Sequence, residues 1–197
     1  MTVMGIDSST GGIAWTVVQH GSPYAMGKIN TTKLKDITDK LAFGIDHFKD
    51  LLQLYKPDIV VVEKSIYVNN RATFRTLSYI VGAIMATAKL EVGADVYDVE
   101  PMAWKSLYGY TTMTKKMELL ARRTLERTAA AKVCEALKKE QTMRVIKHNF
   151  GLWKPEEDTD IWDSTGIALW GWHNYVQRLE LQVSKEIAFG DKYDLFR

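Results

Sequence analysis

Residues 2–30, TVMGIDSSTGGIAWTVVQHGSPYAMGKIN, contain three short runs of apolar and β-branched residues separated by turn residues. Such runs are typical of β-strands, and here they predict three strands, at 2–8, 13–19 and 24–30. Gly11-Gly12 and residues 20–23, HGSP, supply the turns between them. Because both connections are short, the three strands are expected to form an antiparallel meander.

Downstream of the meander, the chain alternates between helical and strand patterns. Apolar residues recur at three- and four-residue steps over 33–55, which predicts a helix that Pro57 ends. Residues 58–63, DIVVVE, form a continuous apolar run, which is typical of a central strand covered on both faces. The remaining predicted elements are a helix over 70–90, a strand over 95–99, a short helix over 101–107, long basic helices within 113–147 and a last helix over 158–183.

This order of elements predicts an α/β protein of the ribonuclease H-like class. Its five-stranded mixed sheet would have three antiparallel strands followed by parallel strands, with helices on its faces. A length of 197 residues suits one domain, and a hydrophobic fraction of 46% can supply its core. We therefore expect a single domain over 1–197, with a basic helical insertion at about 111–157.

The composition excludes several classes of protein. The single Cys134 excludes an internal disulfide and a cysteine-rich zinc site. The sequence has no apolar run long enough to span a bilayer, and residues 1–5 lack the basic region of a signal peptide. The expectation is a soluble, intracellular protein of the cytoplasm, which would be the host cytoplasm for a phage-encoded chain.

The net charge of +2 hides an uneven distribution. Residues 111–154 carry a net charge of +7, and residues 155–197 carry −5. A basic block beside an acidic block is compatible with a nucleic-acid-binding protein that has a carboxylate metal site. A solvated helix next to an acidic tail explains the charges alone more simply, so the positions of individual acids must decide.

Four acids fall where the predicted fold would bring them together. Asp7 and Glu63 end two predicted strands, and ligands of α/β sheets lie at the carboxyl ends of strands. Asp160 and Asp163 are three residues apart in the first turn of the last helix, so they share a face. Taken singly, each could be a solvated strand end or a residue that stabilises the helix dipole. Together they would repel one another unless cations neutralise them.

An all-carboxylate site suits hard divalent cations such as Mg²⁺ or Mn²⁺. Two such ions about 3.5–4 Å apart can activate a water molecule and stabilise the leaving oxygen of a phosphodiester. The residues therefore predict a metal-dependent phosphodiester hydrolase. Its catalytic and metal-binding residues would be Asp7, Glu63, Asp160 and Asp163.

Four motifs, in this order, resemble those of the RuvC-type Holliday junction resolvases. They are Met4-Gly5-Ile6-Asp7, Val61-Val62-Glu63 followed by Asn70 and a helix containing Gly82, the segment from Val99 to Gly109 with Lys105, and Asp160-Ile161-Trp162-Asp163 continuing to Ala168. The resemblance covers most of residues 1–110 and 158–172, and the long segment between them is more like divergent bacteriophage, viral and organellar members. The family's aromatic residue three positions after the second acid is Ile66 here, and the ring follows at Tyr67.

The resemblance implies a structure-selective endonuclease that resolves four-way and related branched DNA junctions. It implies two Mg²⁺ ions per site, with Mn²⁺ able to substitute, and products with a 5′-phosphate and a 3′-hydroxyl. It also implies a homodimer formed through the helix around residues 77–85, with branched DNA as partner and no membrane.

Affinity for a four-way junction should come mostly from contacts to phosphates. The candidate DNA-binding residues are Ser8, Ser9, Tyr67, Asn70, Arg71, Lys105, Lys115, Lys116, Arg122 and Arg123. For several of them a structural role is an open alternative. Asn70 could cap a helix, the serines could shape a turn, and Tyr67 could cover the core.

Three other functions remain open at the level of sequence. A nuclease of the same fold could act on an RNA/DNA hybrid, a flap or structured RNA. A non-catalytic junction-binding protein would follow if the four acids do not converge. Residues 5–10, GIDSST, also resemble the phosphate loop of actin-like ATPases and sugar kinases, but those proteins need two such lobes and this chain provides one.

Overall fold

A computed structural model describes residues 1–65, 70–107, 158–177 and 179, and the proposed insertion at 111–157 lies outside these ranges. The described residues form one sheet with the strand order β3-β2-β1-β4-β5. β1 pairs antiparallel with β2, as β2 does with β3, while the β1–β4 and β4–β5 pairs are parallel. The strands are β1 (Thr2–Ser9), β2 (Gly12–Gln19), β3 (Ser22–Asn30), β4 (Ile59–Glu63) and β5 (Asp95–Val99). This confirms the predicted mixed sheet, with strand ends within two residues of those expected.

The described helices are α1 (Ile37–Tyr55), α2 (Arg71–Val92), α3 (Pro101–Leu107) and α4 (Thr159–Gly171), and a π-helical turn (Trp172–Val176) follows α4. α1 begins four residues later than predicted, because the Asp36 carboxylate accepts hydrogen bonds from the Thr38 and Asp39 amides and caps the helix there. The last helix was predicted over 158–183; the π-helical turn interrupts it after Gly171, residues 177 and 179 are again α-helical, and residues 178 and 180–183 lie outside the described residues. No helix in the described part of the chain is long and apolar enough to cross a membrane.

The sheet is covered on both faces. One face packs against α1 and α2 around Phe48, Leu52 and Ile84. On the other face Val3, Trp104 and Ile167 are buried together with α3 and α4. β4 contributes alternate residues to the two clusters, which are Val60 and Val62 on one side and Ile59 and Val61 on the other. The continuous apolar run of β4 therefore reflects burial on both faces, as predicted.

α4 lies directly on the backbone of β1. A Cβ atom built on Gly5 would be 2.3 Å from the Ala168 nitrogen and 2.5 Å from the Ser164 carbonyl oxygen. The Thr16 hydroxyl on β2 adds buried hydrogen bonds of 2.9 Å to the hydroxyls of Ser164 and Thr165. These contacts fix the position and the rotation of α4, and so the place at which its first turn meets the sheet.

We expect Gly5→Ala to destabilise the protein by about 3 kcal/mol or more, because the added methyl group meets backbone atoms that cannot move aside. Gly82→Ala on α2 is the matched control, since a Cβ there has no neighbour within 4 Å. This control should stabilise the protein by about 0.5–1 kcal/mol, the usual gain for replacing a helical glycine. Urea unfolding measures both values, and a Gly5→Ala protein as stable as the parent would contradict the close crossing.

Candidate active site

The parallel pairing of β1 with β4 brings two of the predicted acids to one end of the sheet. Ile6 lies opposite Val62, and Asp7 and Glu63 are the next residues on the two strands. Asp160 and Asp163 lie at the start of α4, which packs on β1 and β2. The structure therefore brings all four predicted acids to the same region of the fold.

Asp7 is the acid on which the charges of the other three act. It keeps some exposed surface, yet burial of its carboxyl makes the largest contribution in raising its pKa well above the usual value. The charges of Glu63, Asp163 and Asp160 raise the pKa further, and the charge of Lys105 opposes them. A carboxyl surrounded in this way is costly to ionise without a nearby cation.

The other three acids are each contacted by a donor or cation of the protein. The Trp104 indole nitrogen donates to Glu63 Oε1 at 2.9 Å, and the Lys105 ammonium lies 4.0 Å from Asp163 Oδ2. Lys105 also lies 4.7 Å from the centre of the Trp104 ring. α3 therefore supplies two adjacent residues that contact the acids of β4 and α4.

Asp160 is contacted from β3, which lies on the side of β1 away from β4. The Lys28 ammonium on β3 donates to Asp160 Oδ2 at 2.7 Å and to Asp158 Oδ2 at 2.9 Å. Asp158 also accepts from the Asp160 amide and caps α4. Burial would lower the pKa of Lys28, but its hydrogen bonds and ion pairs with Asp158 and Asp160 outweigh that effect and raise the pKa.

Sequence reasoning missed both Trp104 and Lys28. A tryptophan in a short amphipathic helix suggests core packing, and only its need for a hydrogen-bond acceptor when buried could have pointed to a nearby acid. Lys28 interrupts an otherwise uncharged strand, but nothing in the sequence says which distant acid it pairs with.

The predicted DNA-binding residues that the structure describes have local contacts of their own. The Asn70 side chain accepts from the Ala72 and Thr73 amides and caps α2, and Arg71 is the exposed first residue of that helix. Ser9 exchanges hydrogen bonds with Gly11 and Gly12 in the β1–β2 turn, and Ser8 is partly exposed beside it. Tyr67, Lys115, Lys116, Arg122 and Arg123 lie outside the described residues.

The donor chemistry of the site fits a hard divalent cation, since every acid at the sheet end offers carboxylate oxygens. The four acids, as the structure places them, do not form a set of metal ligands around one point. Within the described ranges, no three acidic, cysteine or histidine side chains come together as a group that could hold a metal ion. The charges of Glu63, Asp160 and Asp163 all act on Asp7. Each of these three acids, however, contacts a different donor or cation of the protein.

Solved structures with the same architecture support a class for this protein. A Thermus thermophilus RuvC structure in complex with Holliday junction substrate superposes with a TM-score of 0.65 and 18% identity, over 86% of this chain and 92% of that chain. A second Thermus thermophilus RuvC structure gives a TM-score of 0.64 at 17% identity, over 91% of this chain and 97% of that chain. The sheet order and the helix that crosses it are therefore those of a ribonuclease H-like fold.

Sequence relatives narrow this class to a family, although no family model matches the chain. The crossover junction endodeoxyribonuclease RuvC of Caldanaerobacter subterraneus is 30% identical over 121 residues, which is 59% of this chain and 73% of that relative. The Rickettsia felis protein of the same name is 30% identical over 115 residues, 56% of this chain and 73% of its own length. The chain belongs to the RuvC family.

The raised pKa of Asp7 predicts how stability depends on pH in the metal-free protein. A folded-state pKa above the unfolded value means that the native state loses stability as the pH rises between those two values. We expect Asp7→Asn to remove this loss and, in the presence of a chelator, to be more stable than the parent at neutral pH. Asp95→Asn is the control, because Asp95 is the first residue of β5. This variant should keep the parent's dependence of stability on pH.

Chemical unfolding of the three proteins from pH 4 to pH 8 in the presence of EDTA measures the effect. A metal-free Asp7→Asn protein that is less stable than the parent at neutral pH would show that the Asp7 carboxylate stabilises the fold.

Proposed function

We propose that this protein is a structure-selective endonuclease that resolves four-way (Holliday) and related branched DNA junctions by hydrolysis of backbone phosphodiesters. The observation that carries the proposal is the desolvated Asp7 carboxyl, at the end of β1 and within the field of three further acids, in a chain of the RuvC family. The family's proteins named above are crossover junction endodeoxyribonucleases, and one of the similar structures is a complex with Holliday junction substrate.

We infer that Asp7, Glu63, Asp160 and Asp163 hold two Mg²⁺ ions, for which Mn²⁺ can substitute. When bound, the ions supply Lewis acidity, which activates a water molecule for attack and neutralises charge on the leaving oxygen. The burial of Asp7 among three other acids supports this assignment, because divalent cations would remove the repulsion that raises its pKa.

Two neighbouring residues of the chain support the acids in this mechanism. Trp104 is fully buried, so its bond to Glu63 Oε1 restricts the orientation of that carboxylate. Lys105 lies beside Asp163 and is the described cation that opposes the acidic field at Asp7. A scissile phosphate bound at the acids would therefore meet a positive charge on the α3 side of the site.

DNA binding is assigned to basic and polar residues around and beyond the acids. The candidates within the described residues are Lys105, Arg71, Asn70, Ser8 and Ser9, and the remaining candidates are Tyr67, Lys115, Lys116, Arg122 and Arg123. The net charge of +7 over residues 111–154 supports a role of the insertion in holding phosphates. Two symmetric cuts in a four-way junction require two sites, which a two-fold homodimer would provide.

Cleavage of a synthetic four-way junction in the presence of Mg²⁺ tests the proposed function. Asp7→Asn should reduce the cleavage rate by at least about 100-fold, because loss of a metal ligand removes several kcal/mol of transition-state stabilisation. It should leave junction binding in a gel-shift assay intact. Asp95→Asn is the matched control, since it removes an exposed carboxylate at the other end of the sheet, and it should cut like the parent.

The outcomes separate the alternative functions. Undiminished cutting by Asp7→Asn would contradict the assignment of the active site. Faster cutting of an RNA/DNA hybrid, a flap or structured RNA than of the junction would change the substrate. Junction binding without cutting under Mg²⁺ or Mn²⁺ would identify a non-catalytic junction-binding protein.

The bond from Trp104 to Glu63 gives a second prediction for the same assay. Trp104→Phe keeps an aromatic ring in the core but removes the indole N–H donor, which leaves Glu63 without this hydrogen bond. We expect the cleavage rate to fall about tenfold, which corresponds to roughly 1.4 kcal/mol. Trp15→Phe, which replaces a buried tryptophan on the opposite face of the sheet, is the control for loss of core packing, and equal losses in both variants would contradict a specific role of the Glu63 contact.

A further inference from the structure

Carboxylate oxygens accept hydrogen bonds from all three N–H groups of the Lys28 ammonium. Its three N–H donors match three acceptors, which are Asp158 Oδ1 at 3.2 Å, Asp158 Oδ2 at 2.9 Å and Asp160 Oδ2 at 2.7 Å. The side chains of Lys28 and Asp160 are only 21% and 24% exposed. Solvent therefore screens this contact less than it screens an ion pair on an open surface.

The register of the sheet shows on which side of β1 Lys28 contacts Asp160. Lys28 lies opposite Ala14, and Ala14 lies opposite Asp7. Directly opposed residues project their side chains to the same face of a sheet, so Lys28 and Asp7 share a face and are two strands apart. β4, which carries Glu63, is on the other side of β1. Lys28 thus holds Asp160 toward β3, on the side of β1 away from Glu63.

This contact engages Asp160 although the charge of Asp160 also acts on Asp7. Asp160 contributes to the field that raises the pKa of Asp7, yet its Oδ2 atom is bonded to Lys28. Within the described residues, no three potential ligands come together to hold a metal ion. The Lys28 ammonium is therefore bonded to Asp160, one of the four carboxylates proposed as metal ligands.

We propose that Lys28 is a built-in counterion that withholds Asp160 from the metal site, and that Asp160 exchanges Lys28 for a divalent cation when metal binds. The proposal rests on the metal site of the proposed function. Lys28 is a positioning residue that lowers metal affinity, and it takes no part in the chemistry.

Asp158 lowers the free-energy cost of the exchange. It contributes two of the three oxygens that bind Lys28, so the ammonium group keeps an anionic partner after Asp160 leaves. A partly buried lysine that lost its only partner would instead oppose the exchange. Asp158 also keeps its cap on α4 through the Asp160 amide, so the helix can stay in place while the Asp160 side chain turns.

A purely structural role for Lys28 leads to a different expectation. If Lys28 served only to attach the start of α4 to β3, neutral variants would lose stability without gaining metal affinity. If Lys28 oriented Asp160 toward the metal, the same variants would bind metal more weakly. Competition between Lys28 and the metal for Asp160 predicts tighter binding when the lysine charge is removed.

Titration calorimetry with Mn²⁺, without DNA, tests the proposal on the full chain. Lys28→Met and Lys28→Gln should bind the cation about three- to tenfold more tightly than the parent, while Lys28→Arg, which keeps the charge, should bind like the parent. The two neutral variants differ in polarity, so one can report the affinity if the other fails to fold. Lys49→Met is the matched control, because Lys49 pairs with Glu91 at 2.8 Å near the opposite end of the sheet, and it should not change the affinity.

Equal or weaker binding by the neutral Lys28 variants overturns the proposal, as does an equal gain in Lys49→Met, which would assign the effect to net charge. Asp7→Asn in the same titration separates this failure from failure of the metal site itself. If Asp7→Asn binds Mn²⁺ as the parent does, the assigned metal site is wrong and the role of Lys28 falls with it. If Asp7→Asn loses binding and the Lys28 variants gain none, the metal site stands and only the counterion is rejected.

Discussion

The site depends on one close contact, the crossing of α4 over β1 at Gly5. Helix and strand approach so closely there that a single methyl group would overlap the helix backbone. The contact lies two residues before Asp7, and Asp160 and Asp163 precede it on the helix, so it sets the distance between the acids of the sheet and those of the helix. The buried hydroxyls of Thr16, Ser164 and Thr165 add directional bonds to this crossing. The chain thus positions its acids by backbone packing and by short polar contacts on rigid elements.

The acids themselves oppose this arrangement. Asp7 is desolvated and faces three negative neighbours, which disfavours its ionised form. The fold tolerates the group because Lys28, Trp104 and Lys105 contact the other acids from two sides. Metal binding at the proposed site would compete with these contacts within the protein.

Much of the fold could be predicted from the sequence, because its strongest patterns report burial. The continuous apolar run of β4 indicated a strand covered on both faces, and the short turns after β1 and β2 required antiparallel neighbours. The start of α1 was wrong, because the cap at Asp36 determined where the helix begins and the apolar periodicity did not. The convergence of Asp7, Glu63, Asp160 and Asp163 was predictable from strand ends and helix spacing. Lys28 and Trp104 were not, since their contacts span 130 or more residues in one case and 41 in the other.

The proposed metal site consists of four acids from β1, β4 and α4. The most direct test is a crystal structure of the protein soaked in Mn²⁺, in which anomalous scattering locates each ion. We expect Mn²⁺ bound by Asp7 together with carboxylates of both β4 and α4, and the Asp160 side chain turned away from Lys28. Mn²⁺ bound without Asp7, or no Mn²⁺ at the ends of β1 and β4 at saturating concentration, would contradict it.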